Sequence, residues 1–295
     1  MDIKITKLIL QNRPNLSESS VKTYLSLLRT VYTSVFGDDF DKANFDNTYE
    51  ILKYLKNVNP RTRKTYLSAL LIVTNEDKYK DQMYKDIDTY NKEEEKQVKN
   101  EKQSESWITN KDILDKFIDL EKEAKHIYSK KNIDMNDLQS LQSFIILALL
   151  GGLYIPPRRS MDYTNFKIRN IDNKDECNYL SGNKLIFNSY KTAKFYGRQE
   201  VIIPPKLANI LKKWISVNKG EWLLFDVKNN KLTNVKLNQR INKIFGDKKV
   251  GVNQLRHTYL SNKYKHLIDT NSEMNQDFKS MGSSSSQFVN YVKKD

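Results

Sequence analysis

The chain has one cysteine, Cys177, among 295 residues, so an intrachain disulfide and a cysteine-built zinc cage are both excluded. An intracellular setting follows as the simpler expectation. Histidine is almost as scarce, with three copies. His126 and His266 have no partners at ligand spacing and read as surface residues, and no metal site is expected. No Ser-His-acid grouping accompanies the serine run 283–286, which reads as a loop. Long apolar stretches are missing too. The longest, Phe144 to Leu150, is far too short for a bilayer and fits a buried helix, so no membrane partner is expected. The opening MDIKITKLIL lacks the ordered charged, apolar and small-residue regions of a signal peptide.

Positive charge is abundant. Lys and Arg number 50 against 36 Asp and Glu, a net +14 (50 − 36). Such an excess favours a polyanionic partner through phosphate neutralisation and counterion release. It equally fits a Lys- and Asn-rich coding bias, and it identifies no enzyme.

The length suits two domains. Val21, Tyr24, Leu25, Leu28, Val31, Tyr32, Val35 and Phe36 follow helical spacing from Ser17 to a stop at Gly37. A second helix is expected over 48–56, and Asn59-Pro60 opens a third with Tyr66, Leu67, Leu70 and Val73 on one face. Lys22-Thr23-Tyr24-Leu25-Ser26 recurs as Lys64-Thr65-Tyr66-Leu67-Ser68, which suggests two helices using one surface twice. Arg61, Arg63 and Lys64 crowd the start of the third helix, where positive charge opposes the helix dipole. A DNA phosphate or plain solvation would each relieve it. Lys22, Arg61, Arg63 and Lys64 are therefore candidate DNA contacts.

The Lys/Glu-dense stretch over about 80–105 reads as a helix end running into a linker to about 106. It divides a helical unit, 1–100, from a mixed unit, 107–295. In the second unit, Thr109 or Asn110 caps a helix through Ile127, and a buried helix over 138–150 ends at Gly151-Gly152. Strands over 184–190 and 199–203 form a basic hairpin with a turn at Tyr196-Gly197, stopped by Pro204-Pro205. Helices follow over 207–217, 237–245 and 252–265. Trp214 and Trp222 read as packing residues. The expected class is mainly α with a small β-sheet, an α+β fold.

Four segments stand out together: Pro156-Pro157-Arg158-Arg159-Ser160-Met161-Asp162, Tyr190-Lys191-Thr192, Asn253-Gln254-Leu255-Arg256-His257-Thr258, and Met281-Gly282-Ser283 ahead of Asn290-Tyr291. In order and rough spacing they resemble the catalytic domain of the tyrosine recombinase (phage integrase) family. The resemblance covers about residues 150–295, and the N-terminal unit resembles that family's helical core-binding domain. The Pro-Pro-Arg-Arg and Lys-Thr-Ala-Lys-x-Tyr-Gly segments are most similar to recombinases of large DNA viruses, virophages and related mobile elements.

The resemblance implies site-specific DNA recombination or integration without a cofactor. The partner would be double-stranded DNA, bound as a homo-oligomer, usually a tetramer. Tyr291 would attack the scissile phosphate to give a 3′-phosphotyrosyl ester and release a 5′ hydroxyl, which Lys191 would protonate as general acid. Arg159 and Arg256 would hold the phosphate; Arg158 and Lys194 are further candidate DNA contacts. The chemistry fits these residue types independently. Two guanidinium forks neutralise a phosphodiester and its pentavalent transition state, and a phenol can store the bond energy as an ester.

The sequence departs from the family pattern in two places. Asn253 stands where the family has a histidine, and Ser283 where it has His or Trp after Gly; neither transfers protons readily at neutral pH. His257, kept, is in relatives more often a structural partner. The span from Ser283 to Tyr291 is also about one residue short. The charge-neutralising half of the site is complete and the proton-transfer half is thinned. Slow or altered cleavage is expected, with three alternatives: a recombinase-fold DNA-binding protein without turnover, a type IB topoisomerase-like enzyme, or a basic helical scaffold or transcription regulator with no active site.

Overall fold

A computed structural model describes the chain apart from residues 172, 173, 175, 247, 294 and 295 and the side chain of residue 102. The protein is mainly helical, with one small sheet, and divides into two compact units, Met1–Val98 and Lys99–Asp295.

The first unit is helical: α1 (Asp2–Asn12), α2 (Glu18–Phe36), α3 (Thr48–Leu55), α4 (Pro60–Val73) and α5 (Asp77–Glu95). Local chemistry sets the ends of α2. Ser17 Oγ accepts from the Ser20 amide at its start, and Gly37, at φ 81°, turns the chain at its end. Asn59 caps α4, whose first residue is Pro60. The core gathers Ile5, Ile9, Leu28, Val31, Ile51, Leu55, Leu67 and Leu70 around Tyr32. The Tyr32 hydroxyl donates to the Asp39 carbonyl (2.7 Å) and accepts from the Asp41 amide (2.7 Å) and Asn44 Nδ2 (2.9 Å). A buried phenol so satisfied adds its ring to the core without an orphaned polar atom. Helix α1 lies outside the expected elements, yet Ile5 and Ile9 on one face of it are fully buried.

In the second unit α6 (Glu101–Ser106) precedes α7 (Asn110–Tyr128) and α8 (Met135–Leu150). The linker expected over this region is thus shorter than its composition suggested. Asn100 and Gln103 form a reciprocal capping box that starts α6, and Lys and Glu are good helix formers. Helix α8 is hydrophobic around most of its circumference because it is buried all round, from Leu141 to Leu150. Then come α9 (Ser160–Thr164), β1 (Phe166–Lys167), β2 (Asn178–Ser181), β3 (Lys184–Phe187), α10 (Ala193–Tyr196), β4 (Gln199–Ile202), α11 (Pro205–Val217), α12 (Asn234–Phe245), α13 (Val252–Tyr264), α14 (Leu267–Ser280) and α15 (Phe288–Tyr291).

The sheet order is β1-β2-β3-β4, with β1 parallel to β2 and the other pairs antiparallel. Gly182, at φ 58°, and Asn183 make a two-residue turn between β2 and β3, with Ser181 paired to Lys184. The expected hairpin is therefore the second of two, and its strands are shorter than predicted. Pro205 begins α11 rather than only ending β4, since the first helical position needs no amide donor. Trp214 packs in the core, stacked on Phe225 with centroids 5.9 Å apart, and its Nε1 donates to the Leu223 carbonyl (3.0 Å). Among the described residues no helix is long and apolar enough to cross a membrane.

Arg63 differs from the surface contact expected of it. Its Nε and Nη2 grip the two Asp86 oxygens at 2.8 and 2.5 Å, and its Nη1 donates to the Lys56 carbonyl (2.9 Å) just past the end of α3. The side chains are 14% and 3% exposed. Arg63 is thus an internal strut between α3, α4 and α5, and the pair holds its pKa above the ordinary guanidinium range. Removing one member strands a buried charge. Arg63→Ala should lower unfolding free energy by about 3–5 kcal/mol, measured by denaturant titration of the whole chain, whereas Arg63→Met with Asp86→Leu should recover most of the loss. A near-neutral Arg63→Ala variant would make the strut dispensable.

Candidate phosphate-binding cleft

Three of the four singled-out segments contribute to one cleft in the second unit. It has a volume of about 230 Å³ and is lined by Pro157, Arg158, Arg159, Asp162, Tyr190, Thr192, Tyr196, Gln199 and Arg256. Arg159 is the residue just before α9, and Arg256 lies on α13. On α13, Val252, Leu255 and Thr258 face the core, and the Thr258 hydroxyl donates to the Ile108 carbonyl (2.9 Å). That rotation leaves Arg256 half-buried at the cleft and turns Asn253 and His257 outward to solvent.

Gly152 sets the approach of α13 to the segment that carries Arg159. Its φ is 73°, and a Cβ there would lie 2.6 Å from the Tyr259 ring. The glycine is needed both for its backbone and for the room it leaves. This is the physical content of the Gly-Gly step read at the end of α8.

Arg158 and Arg159 do different things. Arg158 Nε donates to Asp162 Oδ2 (2.8 Å) and Nη1 to Gln199 Oε1 (2.8 Å), while its guanidinium lies 4.0 Å from the Phe187 ring centroid and 5.1 Å from that of Tyr190. It ties the start of α9 to β3 and β4. Asp162 thus pairs with Arg158, four residues before it and just ahead of α9. The other Asp162 oxygen, Oδ1, is buried with no hydrogen-bond partner. Among the described residues, neither Arg159 nor Arg256 has a hydrogen-bond or ion-pair partner. Two guanidinium forks are therefore left open on one small cavity.

The electrostatics agree. Burial, with Arg159 and Arg158 alongside, holds Arg256 below the ordinary guanidinium range against the pull of Asp162. Burial also pushes Asp162 above the ordinary carboxylate range, although Arg158, Arg159 and Arg256 all oppose it. An oxyanion between Arg159 and Arg256 would relieve the repulsion between them.

Asn178, which the sequence reading passed over, completes the frame. Fully buried, it donates through Nδ2 to the carbonyls of Asp162 and Ser189 (both 2.8 Å) and accepts at Oδ1 from the amides of Asn188 (2.9 Å) and Ser189 (2.8 Å). It joins α9 to the chain leaving β3. A polar residue opening a strand, four before the Gly182-Asn183 turn signal, was the available clue.

The remaining expected residues lie outside the cleft lining. Lys191 and Lys194 are exposed on the β3–β4 connection, 188–198, which contains α10 instead of a tight turn. Tyr291 is 60% exposed on α15, with its ring 5.9 Å from that of Phe278 on α14. Ser283 belongs to a helix stop: Gly282 adopts φ 68° and donates to the Lys279 carbonyl (3.0 Å), and the Ser283 amide donates to that of Phe278 (2.8 Å). This paired closure terminates α14. In the first unit, Tyr24, Pro60, Arg61, Lys64, Thr65, Ser68, Asp86 and Tyr90 line a hollow of about 360 Å³. Arg61 pairs with Glu94 and lies 4.3 Å over the Tyr90 ring; Lys22 pairs with Glu18 (2.6 Å) in solvent. Among the described residues no group of three His, Cys, Asp or Glu side chains could hold a metal ion.

A carboxyl raised by folding stabilises most while protonated; the contribution is complete below its unfolded pKa and is lost as pH rises through the folded one. The parent chain should therefore gain Tm relative to Asp162→Asn as pH is lowered from 7 toward 4. A difference that does not change with pH would mean that Asp162 is not raised.

No protein-family model, curated protein or solved structure matches the chain, so the functional reading rests on the cleft itself.

Proposed function

We propose that the protein is a tyrosine recombinase that cuts and rejoins double-stranded DNA. The observation that carries this reading is the pair of guanidiniums, Arg159 and Arg256, without partners among the described residues and drawn from segments far apart in sequence onto one cavity of about 230 Å³. A phosphodiester seated there has its non-bridging charge neutralised. The Tyr291 hydroxyl then attacks phosphorus and gives its proton to water, the bond to the 5′ oxygen breaks, and that oxygen takes a proton from Lys191. The 5′ hydroxyl of a partner strand reverses the step. One ester replaces another, so no cofactor enters the balance.

Tyr291 is not among the cleft's lining residues, so cleavage on this reading requires the segment from Leu267 onward to deliver it, within one subunit or between subunits of an oligomer. The same observation, with Asn253 and Ser283 in place of proton-transfer residues, favours the second reading: a protein that grips DNA through this cleft without cutting it.

Covalent trapping separates the two. A pool of randomised duplexes, each with one nick, is incubated with the chain, and adducts stable to detergent are recovered and sequenced. The recombinase reading expects an adduct with the parent chain and none with Tyr291→Phe. Arg159→Ala or Arg256→Ala should slow trapping by about 10²–10³-fold, the cost typical of losing one oxyanion donor. Binding without any adduct would establish the second reading, and an adduct that survives Tyr291→Phe would remove Tyr291 as nucleophile. Lys191→Ala should be rescued by a substrate with a better 5′ leaving group.

For the first unit, neutralising Arg61 and Lys64 together should reduce the slope of log K against log salt by about 2, at roughly 0.9 per phosphate contact. Arg63 is left intact because its loss would destabilise the unit rather than report on DNA. An unchanged slope would place the DNA track elsewhere.

A further inference from the structure

Phe195 is 85% exposed and Tyr196 beside it 69%. They sit on α10, the helical tip of the β3–β4 connection, and no aromatic partner covers Phe195 among the described residues. Isolated surface apolar groups need no explanation. Three features set this one apart.

The tip is held rigidly. The Tyr190 hydroxyl donates to the Gly197 carbonyl (2.6 Å) and closes the base of the connection. The Gly197 amide donates to the Ala193 carbonyl (2.8 Å), and the Phe195 amide to that of Thr192 (3.0 Å). A side chain on a tied turn is presented to a partner at low entropic cost. Next, cations flank it: Lys191 and Lys194 are exposed and have no ion-pair partner among the described residues, and the segment from Lys191 to Arg198 contains no acid. Last, it is close to the cleft. Tyr196 and Thr192 line the same cavity as Arg159 and Arg256. Phe195 is the neighbour of Tyr196 in the chain.

We propose that Phe195 is a base-stacking residue: with the phosphate between Arg159 and Arg256, its ring lies against the exposed face of a neighbouring nucleobase. This inference rests on the DNA-recombinase reading. A ring inserted at a base step partly unstacks it and bends the duplex, and stacking tolerates any base because each has a π face. Lys191 and Lys194 would then straddle the backbone of the same nucleotides. The ring would also fix which phosphate enters the cleft.

The test is a cycle between protein and DNA, using duplexes recovered by covalent trapping and Tyr291→Phe as the uncut background. Phe195→Ala should weaken binding by at least about fivefold, the low end of what a base–aromatic stack contributes, and Phe195→Trp should restore it. Abasic sites are then placed one at a time within three nucleotides of the scissile phosphate. At one position the penalty of Phe195→Ala should disappear, because the base it stacks on is gone. A penalty that persists at every abasic position, or no penalty on the intact duplex, overturns the stacking role and leaves the recombinase reading standing. Failure to recover any adduct with the parent chain overturns the recombinase reading, and this inference with it.

Discussion

The second unit is organised around a buried carboxylate among cations. Asp162 sits at the first turn of α9, almost wholly out of water, and three arginines face it. Only Arg158 closes on it, and in doing so reaches Gln199 on β4 and the face of Phe187 on β3. A buried acid without such a partner would be strongly unfavourable, and so would a buried guanidinium. Each therefore fixes the other, and the sheet is attached to the helix as a consequence. The arrangement consumes Arg158 and spares Arg159. The segment that carries Arg159 is held by its neighbour, so Arg159 itself is left open to the cleft.

Much of the fold could be read directly from the residues. Ser17 and Gly37 delimit α2, Asn59-Pro60 opens α4 and Thr109 opens α7, because capping is a local matter of side-chain acceptors and backbone angles. What escaped depended on partners distant in sequence. Helix α1 has an unremarkable sequence whose two isoleucines matter only against α2 and α4. Strands β1 and β2 are too short to show a period, although Gly182-Asn183 carried the turn signal. Asn178 had only its place before that turn to mark it, since its value lies in four backbone groups brought to it by the fold.

The site was legible in a different way. Arg159 and Arg256 were chosen for their chemistry and their order along the chain, and both line one cleft. Neighbouring charges were harder to sort, because Arg158 beside Arg159, and Arg63 beside Arg61, are identical in type and differ only in what packs around them. Burial decides: Arg63 and Arg158 form ion pairs with buried acids, and among the described residues Arg159 and Arg256 form none. Sequence order also gave no warning that Lys191 and Tyr291 would lie outside that lining. Lys191 projects from an exposed connection and Tyr291 from a short terminal helix, and neither setting could be read from order along the chain.

The glycine at position 152 gives the cleft a particular vulnerability. The separation of the two open guanidiniums is fixed less by arginine rotamers than by how closely one helix can approach a backbone turn, and the Tyr259 ring already occupies the space a methyl group would need. On the proposed reading, grip on an anion and tightness of the core would be one mechanical quantity. A substitution deep in the packing of α8 or α13 could detune the cleft without touching any residue that lines it. Conversely, a tightly bound anion would brace the helices from outside, so that occupancy and rigidity rise together.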